Sequence, residues 1–202
     1  LVIIAAVPDL RAGLAIEAMH AVKDVMVDKP GCTTKDQLAA IRDCVARTGR
    51  IWTVNFSERF EVPAVTKAQE LVEAGAIGRV VQTVGLGPHK KNLHTRPDWY
   101  FVRERSGGIL CDIGTHQIDQ FMTFTGSSEA RVVHALVDNI TMPEHPGYQE
   151  FGEIVLVGDQ GHGYARLDWF TPNGLPTWGD GRLFIVGTEG QIELRKYTEI
   201  GR

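Results

Sequence analysis

An aspartate and a histidine stand four residues apart in the segment GGILCDIGTHQID, residues 107–119. On a helix, the side chains of Asp112 and His116 lie on one face, one turn apart, so both can act on the same small molecule. Asp119 follows about one turn later, on a neighbouring part of the surface. A surface ion pair would explain the same spacing. The paired glycines that open the segment favour a binding site, because glycine lets a ligand or another chain segment approach closely.

A lysine stands at the end of an apolar stretch in VMVDKPGC, residues 25–32. Pro30 keeps Lys29 out of the helical region and fixes the turn that follows, so the ammonium is presented at a defined strand end. A solvated lysine at a strand end is the simpler explanation of this feature taken alone. A working role for Lys29 therefore needs further support.

The composition is typical of a soluble globular protein of one or two domains, with 202 residues of which 43% are hydrophobic and 23% charged. The net charge of -4 argues against nucleic acid or an anionic membrane as the main partner and favours a small, mildly polar substrate. The opening apolar run is too short for a membrane span. The cysteines are odd in number and widely spaced, so we expect no disulfide framework and a reducing, cytoplasmic location; they are Cys32, Cys44 and Cys111.

The first 56 residues alternate between apolar strands and amphipathic helices. Residues 1–7 form a continuous apolar run, which is typical of a parallel strand covered on both faces. A helix at residues 11–23 follows, and its apolar stripe comprises Leu14, Ala15, Ala18, Met19 and Val22. After a strand ending at Asp28, a capping box at Thr34 and Gln37 opens a second helix, and IWTVNF supplies a third strand. This order predicts an α/β domain, the C-terminal half of a Rossmann-like doubly wound parallel sheet.

From residue 57 to residue 202 the pattern predicts a second, α+β domain with a large, mostly antiparallel sheet. Helices are expected from Pro63 to about Glu73 and from about Ser106 to Phe124. Six strands are expected, the last of them GQIELRK at residues 190–196. A long segment at residues 88–105 carries aromatic, histidine and basic side chains, which favours a functional loop.

The chain contains no convincing glycine-rich nucleotide turn. The nearest candidate, Gly85-Leu86-Gly87, lacks the third glycine and the helix that such a turn requires, so we reject it as a dinucleotide fingerprint. The sequence also starts inside an apolar strand without an initiator methionine. We therefore expect a fragment that lacks the phosphate-binding half of its Rossmann domain.

These segments together resemble the Gfo/Idh/MocA family of NAD(P)-dependent dehydrogenases, which act on sugars, cyclitols and related alcohols. Residues 1–30 are similar to the family's strand, helix and Glu-Lys-Pro segment, with Asp28 in place of the usual glutamate. NFSERF resembles the family's Asn-x-x-x-Arg-Phe stretch, and SGGILCDIGTHQID resembles its substrate-domain helix. The resemblance implies NAD or NADP as cofactor and a polyol or sugar substrate. Without the glycine-rich turn, we expect the chain alone not to bind NAD(P) tightly.

The resemblance also implies roles for individual residues. Lys29, Asp112 and His116 occupy the family's catalytic positions: His116 as the general base, Lys29 to stabilise the developing alkoxide, and Asp112 to accept a hydrogen bond. Cofactor contacts are expected from Pro8, Asp9, Asp28, Lys29, Pro30 and Asn55. Substrate contacts are expected, beside Asp112 and His116, from Arg59, Trp99, Tyr100, Arg103, Trp178, Asp180 and Arg182. Members of the family commonly associate through the substrate-domain sheet, so the resemblance implies a homo-oligomer formed through that sheet.

Two other interpretations of the same residues remain open. His116 and Asp112 could bind a divalent cation together with His89 or His94, as in sugar isomerases or hydrolases, but no further ligand pattern completes such a shell and Lys29 would repel the ion. We therefore predict no metal site. The chain could also be a non-catalytic binding or dimerisation module that uses its broad sheet as the contact surface.

Overall fold

The structure, a computed structural model, describes residues 1–195. Residues 196–202, which include the last residue of the final predicted strand and the end of the second predicted domain, lie outside the described part. A three-stranded parallel sheet is followed along the chain by a six-stranded mixed sheet. This architecture confirms the fold class that the sequence predicts.

The first sheet consists of β1 (Val2–Ile4), β2 (Val25–Asp28) and β3 (Trp52–Asn55), all parallel and in that order. The helices α1 (Pro8–His20) and α2 (Lys35–Thr48) connect the strands and pack against each other. A core of small and aliphatic side chains joins helices to strands: Ile4, Ala12, Ala15, Met19, Val25, Val27, Ile41 and Cys44. Because the strands are parallel, their carboxyl ends lie at one edge, where Asp28 is in register with Asn55.

Helix α2 begins and ends as the sequence predicts. The hydroxyl of Thr34 accepts a hydrogen bond from the backbone N–H of Gln37 at 3.1 Å, and Gly49 ends the helix in the left-handed conformation with φ 63°. The side chain of Gln37 completes the cap by accepting from the backbone N–H of Thr33 at 2.8 Å. The capping residues therefore fix where the β2–α2 connection meets the helix.

Helix α1 lies three residues earlier than the predicted range of 11–23, which was wrong at both ends. Val22, expected on the buried stripe, lies beyond the helix with 69% of its surface exposed, and Leu14 is 41% exposed. The buried face includes Arg11, which is 5% exposed. A charged residue on the buried face shifts the true stripe away from the one that hydrophobicity indicates.

The second part of the chain begins with α3 (Ser57–Phe60), α4 (Pro63–Glu73) and β4 (Val80–Pro88). The helices α5 (Arg103–Ser106), α6 (Ile109–Asp112) and α7 (Gly114–Thr125) follow. The remaining strands are β5 (Ala130–Asp138), β6 (Phe151–Gly158), β7 (His162–Asp168), β8 (Arg182–Gly187) and β9 (Gln191–Arg195). Their order in the sheet is β5-β6-β7-β4-β8-β9, in which only the β4–β7 pair of the described strands is parallel.

Helix α7 packs on β4 and β7 at the centre of the six-stranded sheet. The two glycines of the rejected Gly-Leu-Gly motif lie in β4, directly beneath this helix. A Cβ at Gly85 would lie 2.6 Å from the Gln117 side chain, and one at Gly87 would lie 3.0 Å from Ile113. These glycines therefore serve close helix–sheet packing, and the structure agrees with the rejection of a nucleotide turn at this position. Among residues 1–195, no helix is long and apolar enough to cross a membrane.

Residues 89–102, which we call the cavity loop, contain two short 3-10 turns, Leu93–Thr95 and Asp98–Phe101. Glu150 anchors the start of this loop: it is fully buried, forms an ion pair with Lys91, and accepts hydrogen bonds from Thr141 Oγ1 at 2.7 Å and the N–H of Ile140 at 2.8 Å. Burial alone would raise the pKa of the Glu150 carboxyl, but the hydrogen bonds from Lys91 and Thr141 bring the pKa below its usual value.

We expect Glu150→Gln to lower the free energy of unfolding at neutral pH by about 3 kcal/mol, because it removes the ion pair with Lys91 and replaces a buried carboxylate that accepts several hydrogen bonds by an amide. A folded-state pKa below the unfolded value means that the carboxylate stabilises the fold above the unfolded pKa and that this contribution is lost as the pH falls through the folded pKa. Denaturant unfolding at a series of pH values measures both effects. The exposed Glu144→Gln is the matched control, and an equal stability loss for Glu150→Gln at every pH would contradict the assignment.

Candidate active site

A cavity of about 370 Å³ lies where the carboxyl ends of β1 and β2 face α6, α7 and the cavity loop. Both sheets therefore contribute to it, and its size matches pockets that bind small molecules. Most of the side chains on its wall are charged, aromatic or histidine. The lining residues are Pro8, Arg11, Asp28, Lys29, Ser57, Glu58, His89, Thr95, Arg96, Pro97, Trp99, Tyr100, Ser106, Asp112, His116, Trp169 and Trp178.

Lys29 and Asp112, which are 83 residues apart in sequence, meet in this cavity. The Lys29 ammonium donates a hydrogen bond to Asp112 Oδ1 at 2.7 Å. The two side chains are 23% and 19% exposed, so the pair remains accessible to a ligand. Burial favours the neutral form of Asp112, but the Lys29 charge and hydrogen bond outweigh it and lower the pKa of the carboxyl. Asp112 is therefore ionised at neutral pH and fixes the lysine in place.

His116 lines the same cavity and is only 3% exposed. Its ring lies edge-on to Phe56, with ring centroids 6.1 Å apart. The single helix predicted from about Ser106 to Phe124 is wrong in two respects: Gly107 and Gly108 have positive φ values and precede the helix, which starts at Ile109, and α6 ends at Asp112 while α7 begins at Gly114. Ile113, between them, keeps helical dihedral angles of φ -90° and ψ -44°, so the turn-by-turn spacing survives and both side chains still reach the cavity.

Another segment of the chain approaches the paired glycines before α6 closely, as the sequence predicts. Gly107 and Gly108 have φ values of 86° and 76°, which favour glycine. A Cβ on Gly108 would lie 2.2 Å from Gln149 Oε1 and 2.8 Å from Arg103 Nε. Gln149 also accepts a hydrogen bond from the N–H of Ile109 at 3.1 Å. The segment that approaches is therefore part of the protein, and Arg103, predicted to contact substrate, packs here and is absent from the cavity lining.

Three aromatic residues predicted from the sequence line the cavity: Trp99, Tyr100 and Trp178. Tyr100 is buried and donates a hydrogen bond to Asp112 Oδ2 at 3.3 Å. Burial, reinforced by the Asp112 charge, raises the pKa of the Tyr100 phenol far above its usual value, so the hydroxyl stays protonated. Asp112 is thus held by Lys29 on one oxygen and by Tyr100 on the other.

Arg11 is a cavity residue that sequence reasoning missed. Its guanidinium donates to the backbone carbonyls of Ala6 at 2.7 Å, Asp28 at 2.8 Å and Pro30 at 2.9 Å, and forms an ion pair with the Asp28 carboxylate at 3.2 Å. Burial lowers the pKa of Arg11, and the Asp28 charge opposes that shift. These bonds join the ends of β1 and β2 and fix the backbone on both sides of Lys29. In the sequence, Arg11 is an isolated arginine in a predicted amphipathic helix, and nothing in that pattern indicates that its side chain lines a cavity.

His89 was considered only as a metal ligand, but it lines the cavity beside the catalytic candidates. Its Nδ1 lies 3.1 Å from the carbonyl oxygen of Gly87, which can only accept, so Nδ1 carries the proton and Nε2 is an acceptor. The ring contacts Trp169 edge-on at 5.6 Å. Burial lowers the pKa of His89, which favours the neutral imidazole.

Several predicted substrate residues lie off the cavity lining because ion pairs hold them elsewhere. Arg59 binds Asp119 through two hydrogen bonds, Nε to Oδ2 at 2.6 Å and Nη2 to Oδ1 at 2.8 Å. Asp180 accepts from Arg182 Nη2 at 2.6 Å, and this bond lowers the pKa of Asp180. The charged groups of Arg59, Asp180 and Arg182 are therefore paired with other side chains of the protein, outside the cavity lining.

Two predicted cofactor residues are likewise engaged outside the lining. Asp9 forms an ion pair with Arg105 at 3.1 Å, and Asn55 donates to Glu61 Oε1 at 3.3 Å. Pro8, Asp28 and Lys29 do line the cavity.

The described residues contain no group of three or more His, Cys, Asp or Glu side chains arranged to hold a metal ion. His94, named in the metal alternative, is exposed and is not part of the cavity wall.

A family model described as the GFO/IDH/MocA C-terminal domain matches residues 65–193. Levoglucosan dehydrogenase from Pseudarthrobacter phenanthrenivorans is 33% identical over 140 residues, which cover 68% of this chain and 35% of that protein. The scyllo-inositol 2-dehydrogenase (NAD(+)) of Bacillus subtilis is 27% identical over 198 residues, which cover 95% of this chain and 54% of that protein.

Solved structures agree with these matches. A structure from Erwinia carotovora atroseptica SCRI1043, assigned as an oxidoreductase, is 50% identical with a TM-score of 0.96, over 99% of this chain and 60% of that one. Levoglucosan dehydrogenase in complex with NADH and levoglucosan is 26% identical with a TM-score of 0.81, over 96% of this chain and 53% of that one. The chain thus spans between 35% and 60% of the length of these four relatives. With the model match, the sequence relatives and the fold in agreement, the chain belongs to the GFO/IDH/MocA family.

Proposed function

We propose that the full-length protein is an NAD(P)-dependent oxidoreductase that transfers hydride between nicotinamide and a secondary alcohol of a sugar, cyclitol or related polyol. The observation that carries this proposal is the 2.7 Å hydrogen bond from Lys29 to Asp112, formed in the cavity that His116 also lines. The relatives support the same reaction class, since one is named as NAD(+)-dependent and another is solved with NADH and a sugar derivative.

The cavity fits the reactive end of a dinucleotide. In open α/β sheets, ligands bind in the crevice outside the carboxyl ends of the strands. Pro8 follows β1 here, Asp28 ends β2 and Lys29 follows it, and all three line the cavity. Nicotinamide bound beside them would supply the acceptor for the hydride that leaves the alcohol carbon.

The residues of this chain would handle the proton and the developing charge. As hydride leaves the carbon with its electron pair, the hydroxyl proton passes to the His116 imidazole and the carbon–oxygen double bond forms. Lys29 has three N–H donors, of which one binds Asp112, so the others can bind the reacting oxygen as charge develops on it. Asp112, held by Lys29 and Tyr100, orients the ammonium. His89 Nε2 can accept from a neighbouring hydroxyl of the substrate.

The direct test is reduction of NAD+ and NADP+ by the full-length protein, followed by absorbance of the reduced nicotinamide, with a panel of sugars and cyclitols. Turnover with any polyol supports the proposal, and the ratio of kcat/KM values for the two cofactors selects between them. Failure to reduce either cofactor with the whole panel, while both cofactors bind, would favour the alternative of a non-catalytic binding module.

We also propose that the protein associates with itself through the six-stranded sheet. All nine residues of β5, at the edge of that sheet, are exposed. They include Val132, Val133, Leu136 and Val137, with between 39% and 55% of their surfaces exposed. Edge strands with unpaired backbone groups and apolar side chains favour association unless they are covered.

Light scattering of the full-length protein should therefore give the mass of a dimer or a larger oligomer. Val133→Lys together with Leu136→Lys should shift that mass towards the monomer, because two buried charges at an apolar interface are costly. Lys35→Glu, on the exposed start of α2, is a control away from the sheet. A monomeric wild-type protein would contradict association through β5.

A further inference from the structure

Arg96, in the cavity loop, is clamped between aromatic rings on the cavity wall. Its guanidinium carbon lies 4.2 Å from the ring centre of Tyr100, 5.0 Å from that of Trp169 and 5.5 Å from that of Trp178. Its Nε donates to the carbonyl oxygen of Lys91 at 2.9 Å. Backbone and rings together fix the plane of the guanidinium, so the side chain is ordered before any ligand binds.

The rest of this guanidinium has no protein acceptor among residues 1–195. Arginine has five N–H donors, and within that range only the one on Nε is used. Nη2 is buried and lacks a hydrogen-bond partner in the part of the chain that the structure describes. A buried donor left without an acceptor costs free energy, and such groups in a native cavity call for a ligand or water as partner.

Arg96 also differs from the other cations of the cavity. Arg11 is paired with Asp28 and Lys29 with Asp112, whereas Arg96 forms no ion pair within the described residues. Its charge nevertheless contributes to lowering the pKa of Asp112, so Arg96 and the Lys29 pair act within one electrostatic environment. The third carboxylate on the wall, Glu58, accepts a hydrogen bond from Gln117 Nε2 at 3.2 Å.

We propose that Arg96 binds a carboxylate on the substrate, which makes sugar acids or carboxylated cyclitols the preferred substrate class of this cavity. This inference rests on the function proposed above. The two Nη groups of a planar, oriented guanidinium match the two oxygens of a carboxylate, and a charge-assisted bond of this kind is stronger than one to a neutral hydroxyl. The aromatic clamp adds apolar surface for the sugar ring beside the charged group. The carboxylate lies at the Arg96 end and the reacting alcohol at the Lys29 end.

The test uses the full-length protein with pairs of compounds that differ only in carrying a carboxylate instead of a hydroxymethyl group, D-glucuronate against D-glucose and D-galacturonate against D-galactose. Turnover with the preferred cofactor and calorimetric titration of the protein are both measured. We expect wild type to favour the acid in at least one pair. Arg96→Gln should lower kcat/KM and affinity about 10- to 100-fold more for that acid than for its neutral partner.

Two further variants make the result specific. Arg96→Lys keeps the charge but loses the planar fork, so it should recover only part of the preference, and it serves as the second variant if Arg96→Gln folds poorly. Arg42→Gln removes an exposed arginine of α2 and should leave the preference unchanged. Preference for the neutral compound in both pairs, or equal losses for acid and neutral compound in Arg96→Gln, would overturn the inference while leaving the dehydrogenase proposal intact. Acid binding without turnover of any polyol would support Arg96 as an anion site and contradict the proposed function instead.

Discussion

In the full-length protein, Lys29→Ala should lower kcat by about 10²- to 10³-fold and change KM far less. The ammonium already forms its hydrogen bond with Asp112 before substrate binds. Its remaining donors are most valuable when negative charge develops on the reacting oxygen, which happens only in the transition state. An interaction that strengthens at that point appears in kcat, whereas one made equally in the ground state appears in KM.

The same substitution should change the neighbouring carboxyl. With Lys29 removed, burial of Asp112 is no longer opposed by the largest favourable charge, so its pKa should rise. Asp112→Asn and the double variant Lys29→Ala/Asp112→Asn complete a double-mutant cycle, and we expect the double variant to lose much less than the sum of the single losses. Melting temperatures of all three separate loss of catalysis from loss of folding.

Lys23→Ala is the matched control, since Lys23 is an exposed lysine in the turn before β2. Added ethylamine should partly restore turnover to Lys29→Ala by occupying the space of the missing ammonium, and it should have no effect on the control. A loss confined to KM would make Lys29 a residue that binds substrate without acting on the reacting oxygen.

The strand ends and helix caps of the first sheet were predictable because they depend on local chemistry. The proline after Lys29 and the cap at Thr34 act within a few residues, and the structure has the strand end and the helix start where the sequence indicates them. The distance of four residues between Asp112 and His116 is also local, and it survived the interruption of the helix at Ile113.

The partners of charged residues were not predictable, because they come from distant parts of the chain. Arg59 carried the signal of a substrate residue, but it is bound by Asp119, 60 residues further along. Arg11 lies on the buried face of α1 because three backbone carbonyls and Asp28 bind it there. Hydrophobic periodicity contains no information about either set of partners. A charged side chain that is buried against such partners is therefore easily assigned to the solvent-facing side of its helix.

The long loop was predicted to be functional from its length and aromatic content, and two of its predicted side chains, Trp99 and Tyr100, line the cavity. Arg96 and His89 line it as well, although Arg96 was not predicted and His89 was named only as a possible metal ligand. Only the three-dimensional arrangement places Arg96 against Trp169 and Trp178, which lie more than 70 residues away along the chain.

His116→Asn should lower kcat by about 10²- to 10⁴-fold, the range expected for removal of a positioned general base. Asparagine keeps a polar group of similar reach but cannot accept the hydroxyl proton at neutral pH. In wild type the rate should fall at acid pH as the base becomes protonated, and this decrease should be absent from the residual activity of His116→Asn. Measurement of kcat and kcat/KM against pH for both proteins tests this.

The cavity contains a second histidine, His89, so the pH measurements must also distinguish His116 from His89 as the general base. His89 presents a neutral imidazole with Nε2 as an acceptor, so it is chemically able to take a proton. Its Nδ1–H, however, is committed to the carbonyl of Gly87, and accepting a proton on Nε2 would create a cation where burial already disfavours one. We therefore expect His89→Asn to raise KM more than it lowers kcat and to keep the acid decrease of the wild-type profile. If His89→Asn instead abolishes that decrease and His116→Asn retains it, the two roles are exchanged, with His89 as the base and His116 as the residue that orients the substrate.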